Sequence, residues 1–225
     1  MERIEWARRN LIPRKVEKVR VGRRSDGGYV LPKASIAECD LCVTYGLGHD
    51  TSFERQILSH GIKVIGYDPD ISRHPSWARR GRLVSYSDFA SMPEVSLASS
   101  VMLKVDVEGA EYGFLRTLDR QHFAEKVHTL ALEIHVSEKL KPSWADIDLL
   151  QVVLESHHVV HVHGNNYGKT NRFFPTALEV TFMSKRRMGD AAIDRGRFPS
   201  EGLDFPNKPE SADLCLMWVN QVPLL

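Results

Sequence analysis

Acidic side chains and imidazoles collect at the ends of apolar runs in this sequence. Asp106 and Glu108 follow one run, and Glu133 and His135 lie two residues apart on the next. If these runs are β-strands, residues two apart point to the same face. An imidazole, with a reference pKa of about 6.5, or a carboxylate placed there could remove the proton of a hydroxyl group. We therefore identify Asp106, Glu108 and His135 as candidate catalytic residues.

Two further histidines, His161 and His163, lie two apart on a later apolar run. His163 is nearer the end of that run and is a fourth catalytic candidate. His161 lies deeper and is more typical of a packed or hydrogen-bonded histidine. Glu111 falls in the first turn of an expected helix, where a carboxylate complements the helix dipole. We therefore leave His161 and Glu111 out of the catalytic set.

Asp106 and Glu133 would lie at the ends of neighbouring strands. Hard carboxylate oxygens of this kind suit Mg²⁺, which could acidify a hydroxyl group of a substrate. This predicts a magnesium site with Asp106 and Glu133 as ligands. The alternative is that backbone and cofactor hydrogen bonds hold both carboxylates.

A glycine turn follows the first strand expected in the sheet. Gly46 and Gly48 lie at the mouth of that strand, where glycines let the backbone approach a ligand closely. The second strand ends in Asp68. An acid about 20 residues after the first glycine is typical of the residue that binds both hydroxyls of an adenosine ribose. The alternative is that Asp68 only shapes a turn.

The third position of a dinucleotide fingerprint is occupied here by Thr51, which would better serve as a helix cap. This disfavours binding of a pyrophosphate. It favours S-adenosylmethionine, which carries ribose and adenine but no phosphates. Asp88, beyond a third expected strand, could meet the adenine amino group, or it could cap a loop.

The segment 101–111, VMLKVDVEGAE, resembles the signature of FkbM-type class I methyltransferases and of related methyltransferase-like proteins of animals. Similar short patterns occur at 26–29 (DGGY), 45–54, 66–69 (GYDP) and 132–135 (LEIH). The resemblance implies a class I methyltransferase fold with S-adenosylmethionine as cofactor. It also implies methyl transfer to a hydroxyl group of a glycan or natural-product-like small molecule.

The same resemblance extends the expected cofactor site. Many class I enzymes carry an acid two positions before the first glycine, where this sequence has Thr44. The ammonium group of the cofactor would then be held by Asp106 or Glu54. The full set of expected cofactor residues is Tyr45, Gly46, Gly48, Glu54, Asp68, Pro69, Asp88 and Asp106.

Two polar segments are expected to line the acceptor site. Glycine-rich turns and asparagine side chains make adaptable polar walls around a hydroxylated ligand. The expected substrate-binding residues are Asp26, Tyr29, Asn165, Asn166 and Tyr167.

These groups must be positioned by regular elements, and apolar runs of strand length recur along the chain. The expected strands are 40–45, 63–67, 82–86, 101–105, 129–135, 159–162 and 177–183. Helices are expected to open at Thr51 with Glu54 as a capping box, at Ser143 with Asp146, and to span 111–122. This alternation predicts an α/β fold: a Rossmann-like, doubly wound, mostly parallel seven-stranded sheet with helices on both faces. We expect the last two strands to be antiparallel.

We expect residues 1–39 to form an N-terminal appendage that packs on the core, and 40–225 to form a single methyltransferase domain. The appendage is rich in Lys and Arg. An anionic partner is conceivable, but a solvated helix face followed by a loop is the simpler interpretation.

Composition narrows the classes of function. The 225 residues hold 30 Lys and Arg against 29 Asp and Glu, and this net charge of +1 excludes a wholly basic nucleic-acid binder. No apolar run approaches the ~18 residues that span a bilayer, and the start lacks the apolar stretch of a signal peptide. We expect a cytoplasmic protein with a small-molecule or glycan acceptor and without a membrane partner.

The three cysteines argue against a disulfide scaffold, so Cys39 and Cys42 are expected to be packed thiols.

Two other classes of function stay open at this point. One is an NAD-dependent Rossmann oxidoreductase, which Thr51 disfavours. The other is a non-catalytic module that binds S-adenosylmethionine or another ligand. Within the methyltransferases, transfer to nitrogen is an alternative to transfer to oxygen.

Overall fold

A seven-stranded sheet forms the centre of the protein in a computed structural model that describes residues 2–69, 75–81, 85–135, 148–167 and 175–220. In chain order the strands are β1 (Lys18–Val21), β2 (Tyr29–Pro32), β3 (Leu41–Tyr45), β4 (Lys63–Asp68), β5 (Ala78–Arg80), β6 (Val101–Val105), β7 (Val127–His135), β8 (His157–Asn165) and β9 (Ala177–Ser184). The helices are α1 (Glu2–Asn10), α2 (Lys33–Glu38), α3 (Ser52–Ser59), α4 (Tyr86–Ala90), α5 (Pro93–Leu97), α6 (Glu111–Arg116), α7 (Arg120–Lys126), α8 (Leu150–Ser156), α9 (Lys185–Met188) and α10 (Met217–Asn220). Strands β1 and β2 pair with each other as a separate antiparallel hairpin.

The spatial order of the central sheet is β5-β4-β3-β6-β7-β9-β8. The five strands from β5 to β7 pair in parallel, β9 pairs antiparallel with β7, and β8 pairs antiparallel with β9. This confirms the Rossmann-like α/β fold with its mostly parallel sheet and the antiparallel pairing of the last two strands.

Strand β3 marks the point where the chain reverses its direction of travel across the sheet. From β3 the chain moves outward to β4 and β5, and then returns to place β6 on the other side of β3. In open α/β sheets, ligands bind in the crevice at the carboxyl ends of the strands that flank such a switch point. The topology therefore directs attention to the loops after β3 and β6.

Strand β3 also shows why apolar runs without polar alternation form this sheet. Val43 and Tyr45 pack in one buried apolar cluster, whereas Cys42 on the opposite face packs in a second cluster with Val64 and Met102. Strands covered on both faces need apolar side chains at every position.

The two thiols of the C-x-x-C pair, Cys39 and Cys42, are both buried and not bonded to each other. This confirms the prediction of packed thiols. Burial raises the pKa of Cys39 to about 12 and that of Cys42 well above its usual value. Such thiols are poor nucleophiles and poor metal ligands, because the reactive form is the thiolate.

Six of the seven expected strands are present, with bounds that differ by a few residues. The exception is the run 82–86: residues 82–84 lie outside the described residues, and Tyr86 begins α4 instead. The edge of the sheet is formed by β5, which pairs with the end of β4 and carries the exposed Arg79 and Arg80. A short, polar edge strand has no apolar signal by which sequence reasoning could find it.

Two expectations about helices are wrong in detail. The run 111–122 divides into α6 and α7, because Asp119 accepts a hydrogen bond from His122 N and caps a new helix. Helix α3 begins at Ser52 as expected, but Thr51 makes no capping bond, and Asp50 accepts from Ser52 N instead.

The start of the expected helix at Ser143 lies outside the described residues, and only its continuation, α8, is seen. Among the residues that the structure describes, no helix is long and apolar enough to cross a membrane.

The first 39 residues contribute to both apolar clusters. Ala7 and Leu11 belong to the first, and Tyr29 and Leu31 to the second. Thr181 of β9 donates a buried hydrogen bond to a backbone oxygen of β2. These contacts are those expected of a segment that packs on the core, while its division from the rest at residue 39 stays a prediction.

Candidate active site

The loops after β3 and β6 touch each other through their backbones. Asp106 N donates to Tyr45 O at 2.9 Å, and Gly46 has a φ of +82°. A Cβ atom at Gly46 would overlap the backbone oxygen of Asp106, so only glycine fits there. The glycine turn and the start of the acidic segment 106–111 are thus immediate neighbours.

Asp68 at the end of β4 holds the glycine turn. Its Oδ2 accepts hydrogen bonds from Leu47 N at 3.0 Å and Gly48 N at 3.2 Å. A Cβ at Gly48 would meet no atom of the described residues within 4 Å, so this turn borders open space. The structure therefore places Asp68, Gly46 and Gly48 together at the switch point, where a cofactor could approach the backbone.

The other expected cofactor residues lie around this turn in different environments. Tyr45 is buried and its ring stacks on that of Tyr67, with centroids 5.1 Å apart, while Pro69 is exposed just after β4. Asp88 accepts from Ser85 N at 3.1 Å in a capping box at the start of α4. The structure thus shows the capping role that was the alternative for Asp88, and its contact with adenine stays a prediction.

Lys104 of β6 is a central residue that the sequence analysis missed. It is only 4% exposed, and its Nζ donates to Gly46 O at 2.8 Å and lies 3.5 Å from Asp106 Oδ2. Burial alone would lower the pKa of Lys104, but the charges of Asp106, Glu54 and Glu133 raise it. The signal was available, because a lysine inside an otherwise apolar strand must have a buried partner.

Glu54 of α3 is buried near this lysine. Burial raises the pKa of Glu54, and Lys104 opposes that shift. Neither carboxylate oxygen of Glu54 has a hydrogen-bond partner among the described residues. A buried, incompletely satisfied carboxylate beside the glycine turn is suited to a cationic group of a ligand.

Four side chains at the ends of β6 and β7 form a group that we call the acid–imidazole cluster: Asp106, Glu108, Glu133 and His135. His135 Nε2 lies 3.4 Å from Glu108 Oε2 and 3.7 Å from Glu133 Oε2. The order of the apolar runs predicts this proximity, because the carboxyl ends of parallel neighbours meet at one edge of the sheet.

Glu111, which the sequence analysis assigned to the helix dipole, orients His135. Its Oε1 accepts from His135 Nδ1 at 2.7 Å and from Gly109 N at 3.1 Å. Burial alone would lower the pKa of His135, but Glu111, Glu108 and Asp106 raise it. Because Nδ1 is bound to Glu111, Nε2 is directed into the cluster.

The pKa values of Asp106 and Glu133 shift in opposite directions. Burial and the charge of Asp106 raise the pKa of Glu133 well above its usual value. Burial alone would also raise the pKa of Asp106, but Lys104, Glu133 and Tyr29 hold it low. These shifts favour the protonated form of Glu133 and the charged form of Asp106.

Two of the expected acceptor residues support this pair. Tyr29 OH donates to Asp106 Oδ2 at 2.8 Å, and Asn165 Nδ2 donates to Glu133 Oε1 at 2.7 Å. Tyr29 and Asn165 are both buried. Tyr29 and Asn165 therefore act on the candidate site indirectly, by orienting the carboxylates of Asp106 and Glu133.

The other three expected acceptor residues lie farther from the cluster. Asn207 Nδ2 donates to Asp26 Oδ1 at 3.1 Å, and Asn166 Nδ2 donates to three backbone oxygens of 208–212. Tyr167 is 62% exposed. No contact of these three residues with the acid–imidazole cluster is observed in the described part of the chain.

His163 sits in a separate buried network. Its Nδ1 lies 3.0 Å from Glu179 Oε2 and its Nε2 lies 2.9 Å from Asp213 Oδ1. Burial opposes the charged form, yet Asp213 and Glu179 raise the pKa of His163 to about 10. Since an imidazolium with both nitrogens donating cannot accept a proton near neutral pH, we do not carry His163 into the proposed mechanism.

Comparisons with known proteins match no family model and no curated protein. Solved structures with a similar fold include WbdD in a co-crystal with a kinase inhibitor, which is 14–15% identical with TM-scores of 0.41 for two structures of that protein. This match covers 68% of the present chain but only 38% of the WbdD chain.

Two smaller proteins also align. The pre-rRNA processing protein fibrillarin of Methanococcus jannaschii is 11% identical over 66% of this chain and 68% of that chain, with a TM-score of 0.39. A proposed methyltransferase of Streptococcus mutans in complex with SAH is 11% identical over 65% of this chain and 87% of that chain, with a TM-score of 0.34.

Proposed function

We propose that the protein is an S-adenosylmethionine-dependent methyltransferase that acts on a hydroxyl group. The observation that carries this proposal is the close approach of Asp106 to the turn after β3, through its bond to Tyr45 O and its backbone oxygen packed against Gly46. It places a turn suited to an adenosine cofactor directly beside a cluster suited to deprotonating an acceptor. The FkbM-type resemblance of the segment 101–111 supports the same conclusion and suggests a glycan or natural-product-like acceptor.

The cofactor would lie along the turn after β3. Asp68, fixed by two backbone amides of this turn, is positioned to accept hydrogen bonds from ribose hydroxyls. Asp106 and Glu54, whose charges raise the pKa of Lys104, are the candidates for the ammonium group of the cofactor. Tyr45, Pro69 and Asp88 are proposed to complete the adenosine site.

Bound S-adenosylmethionine supplies an electrophilic methyl group, which passes to the acceptor oxygen as the carbon–sulfur bond breaks and its electron pair stays on sulfur. The role of the protein is to align the acceptor and to remove its proton. Asp106, Glu108 and His135, which offer atoms within 4.8 Å of one another, are the groups proposed to receive that proton. When the cluster holds no cation, His135 Nε2 is the atom proposed to accept the proton of the acceptor hydroxyl, because Glu111 holds the ring by Nδ1.

The expected magnesium site between Asp106 and Glu133 is untested and stays a prediction. Its difficulty is that Glu133 Oε1 already accepts a hydrogen bond from Asn165, and that the raised pKa of Glu133 favours the protonated form, which is a poor metal ligand.

The proposal is tested by adding S-adenosylmethionine or NAD to the purified protein and measuring the melting temperature. Stabilisation by S-adenosylmethionine alone supports the proposed cofactor, because a ligand that binds only the folded state raises the midpoint. Stabilisation by NAD alone would instead support the oxidoreductase alternative. Labelled S-adenosylmethionine is then incubated with glycan and metabolite extracts.

A product heavier by one methyl group, whose fragment masses place that group on an oxygen atom, would support transfer to oxygen. Binding of S-adenosylmethionine with no labelled product from any extract would favour a non-catalytic module. A labelled amine would move the reaction to nitrogen and leave the cofactor assignment intact.

A further inference from the structure

We propose that Asp106, Glu108 and His135 form a binding site for one divalent transition-metal cation. Each of the three residues offers one ligand atom, and these atoms all lie within 4.8 Å of one another. Ligand atoms around a single cation at bond lengths of about 2.1 Å are roughly 3 to 4 Å apart. Small side-chain rotations would therefore bring the three atoms onto one ion.

The orientation of His135 is that of a metal ligand. Histidine ligands almost always donate their second ring nitrogen to a carboxylate or a carbonyl, which fixes the ring and leaves the other nitrogen for the metal. His135 donates from Nδ1 to Glu111 Oε1 at 2.7 Å, and its Nε2 lies 3.4 Å from Glu108 Oε2. This relationship was not visible in the sequence, where Glu111 is an ordinary first-turn residue of a helix.

Glu111 provides an independent indication that a positive charge is needed near His135. Its side chain is fully buried, and its Oε2 has no hydrogen-bond partner among the described residues. Burying a carboxylate with one unsatisfied oxygen is costly unless a cation lies nearby. A metal on Nε2 of His135 would supply that charge through the imidazole ring.

The site is closed on one side and open on the other. The side chains of His135 and Asp106 are 13% and 23% exposed, whereas that of Glu108 is 88% exposed. Three protein ligands with an open approach leave positions for water or for a substrate oxygen, as in catalytic rather than structural metal sites.

The ligand types select the class of metal. Mg²⁺ and Ca²⁺ are bound almost entirely by oxygen, whereas imidazole suits cations such as Fe²⁺, Ni²⁺ and Zn²⁺. Mn²⁺ shares the preference of Mg²⁺ for carboxylates but, as a transition metal, also accepts an imidazole, so it can serve as a paramagnetic probe of a mixed site. A set of one imidazole and two carboxylates therefore differs from the magnesium site expected from Asp106 and Glu133. Glu133 is left outside the ligand set, with its own bond to Asn165.

This inference rests on the proposed function for its role in the reaction. An acceptor hydroxyl that enters the open position would be bound to the cation, which lowers the pKa of the hydroxyl. The proton would then leave to water, and the oxygen would form its bond to the methyl carbon as the carbon–sulfur bond breaks and its electron pair stays on sulfur. In the loaded protein, His135 thus holds the cation and does not itself take the proton.

Binding is tested by titrating the chelator-treated full-length protein with Mn²⁺ and following the loss of the free-ion signal by electron paramagnetic resonance. We expect one site per chain. Glu108→Gln and His135→Gln should each weaken binding at least tenfold, and Glu111→Gln should weaken it by roughly 10- to 100-fold because it frees the ring of His135. Glu17→Gln, which changes an exposed carboxylate that pairs with Lys33, is the matched control and should bind Mn²⁺ as the wild type does.

The absence of Mn²⁺ binding by the wild type, or equal binding by the wild type, E108Q and H135Q, would overturn the proposed site. Circular dichroism of each variant separates a lost ligand from a lost fold. Mg²⁺ at tenfold excess should displace Mn²⁺ poorly, and efficient displacement would contradict the assignment to a transition metal.

Turnover separates this inference from the proposed function. Chelation should lower kcat while S-adenosylmethionine still binds by calorimetry, and Mn²⁺ should restore turnover. Full methyl transfer in the chelated protein would overturn the catalytic role of the metal and leave the proposed function standing. Failure of the chelated and the loaded protein to bind S-adenosylmethionine would overturn the proposed function, whereas the Mn²⁺ titration would still decide the metal site.

Discussion

Lys104 Nζ donates a 2.8 Å hydrogen bond to the backbone oxygen of Gly46, so a buried cation of β6 holds the glycine turn that follows β3. The same ammonium group lies 3.5 Å from Asp106 and 5.1 Å from the centre of the Tyr29 ring. Lys104 thereby joins the candidate cofactor turn, the acid–imidazole cluster and the β1–β2 hairpin. Its removal should affect both stability and binding.

We expect Lys104→Met to lower the free energy of unfolding by about 3–5 kcal/mol, because the buried carboxylate of Glu54 and the partly buried one of Asp106 would lose their cationic partner. Urea denaturation measures this change. Lys63→Met, at an exposed position of β4, is the control and should change stability by less than about 0.5 kcal/mol. A loss below about 1 kcal/mol for the Lys104 variant would show that the lysine is not the essential partner of the carboxylates.

We expect Asp68→Ala to weaken the binding of S-adenosylmethionine strongly. Charge-assisted hydrogen bonds to ribose hydroxyls contribute on the order of 1.5–3 kcal/mol each, so the Kd should rise at least tenfold. Calorimetric titration measures the Kd, with the exposed Asp190→Ala as control. Because Asp68 also binds two amides of the glycine turn, Asp68→Asn tests its charge while keeping an acceptor oxygen. An unchanged Kd in both variants would remove Asp68 from the cofactor site.

We expect His135→Ala to lower kcat by roughly 10² to 10⁴ while S-adenosylmethionine still binds. The loss follows whether His135 takes the proton or holds a cation that acidifies the hydroxyl group. Steady-state kinetics and calorimetry on the same preparation measure the two quantities. Turnover at the wild-type rate would move proton removal to another group, with Glu108 as the next candidate.

His163 should make stability depend on pH in the alkaline range. Its pKa is raised from 6.5 to about 10 in the folded protein, so its stabilising contribution is fully present below pH 6.5 and is lost as the pH rises through about 10. We expect the difference in unfolding free energy between the wild type and His163→Gln to be largest near pH 6 and to shrink towards pH 10. Urea denaturation at a series of pH values measures it. A constant difference across this range would mean that His163 is not charged between Glu179 and Asp213.

Local patterns were enough to predict the sheet and the position of the candidate site. Strands buried on both faces are mostly apolar, so β3, β6 and β7 could be recognised from their runs of apolar residues, although each also holds a buried polar side chain. Parallel neighbours end at one edge, and so the order of the apolar runs alone was enough to place Asp106, Glu133 and His135 together. The same rule places the turn at Gly46, after β3, beside Asp68 at the end of the neighbouring parallel strand β4.

The tertiary structure alone decided which polar groups pair. Glu111 looks like a first-turn residue of a helix, yet it holds His135, which lies 24 positions later. Asn207 binds Asp26 across 181 positions and also Glu179, which in turn helps to keep His163 charged. Such partners are brought together by the packing of distant segments, and no periodicity of the chain encodes their meeting. For this reason the sequence located the candidate site, whereas the raised pKa of His163, the opposite pKa shifts of Asp106 and Glu133, and the direction in which His135 points depended on the fold.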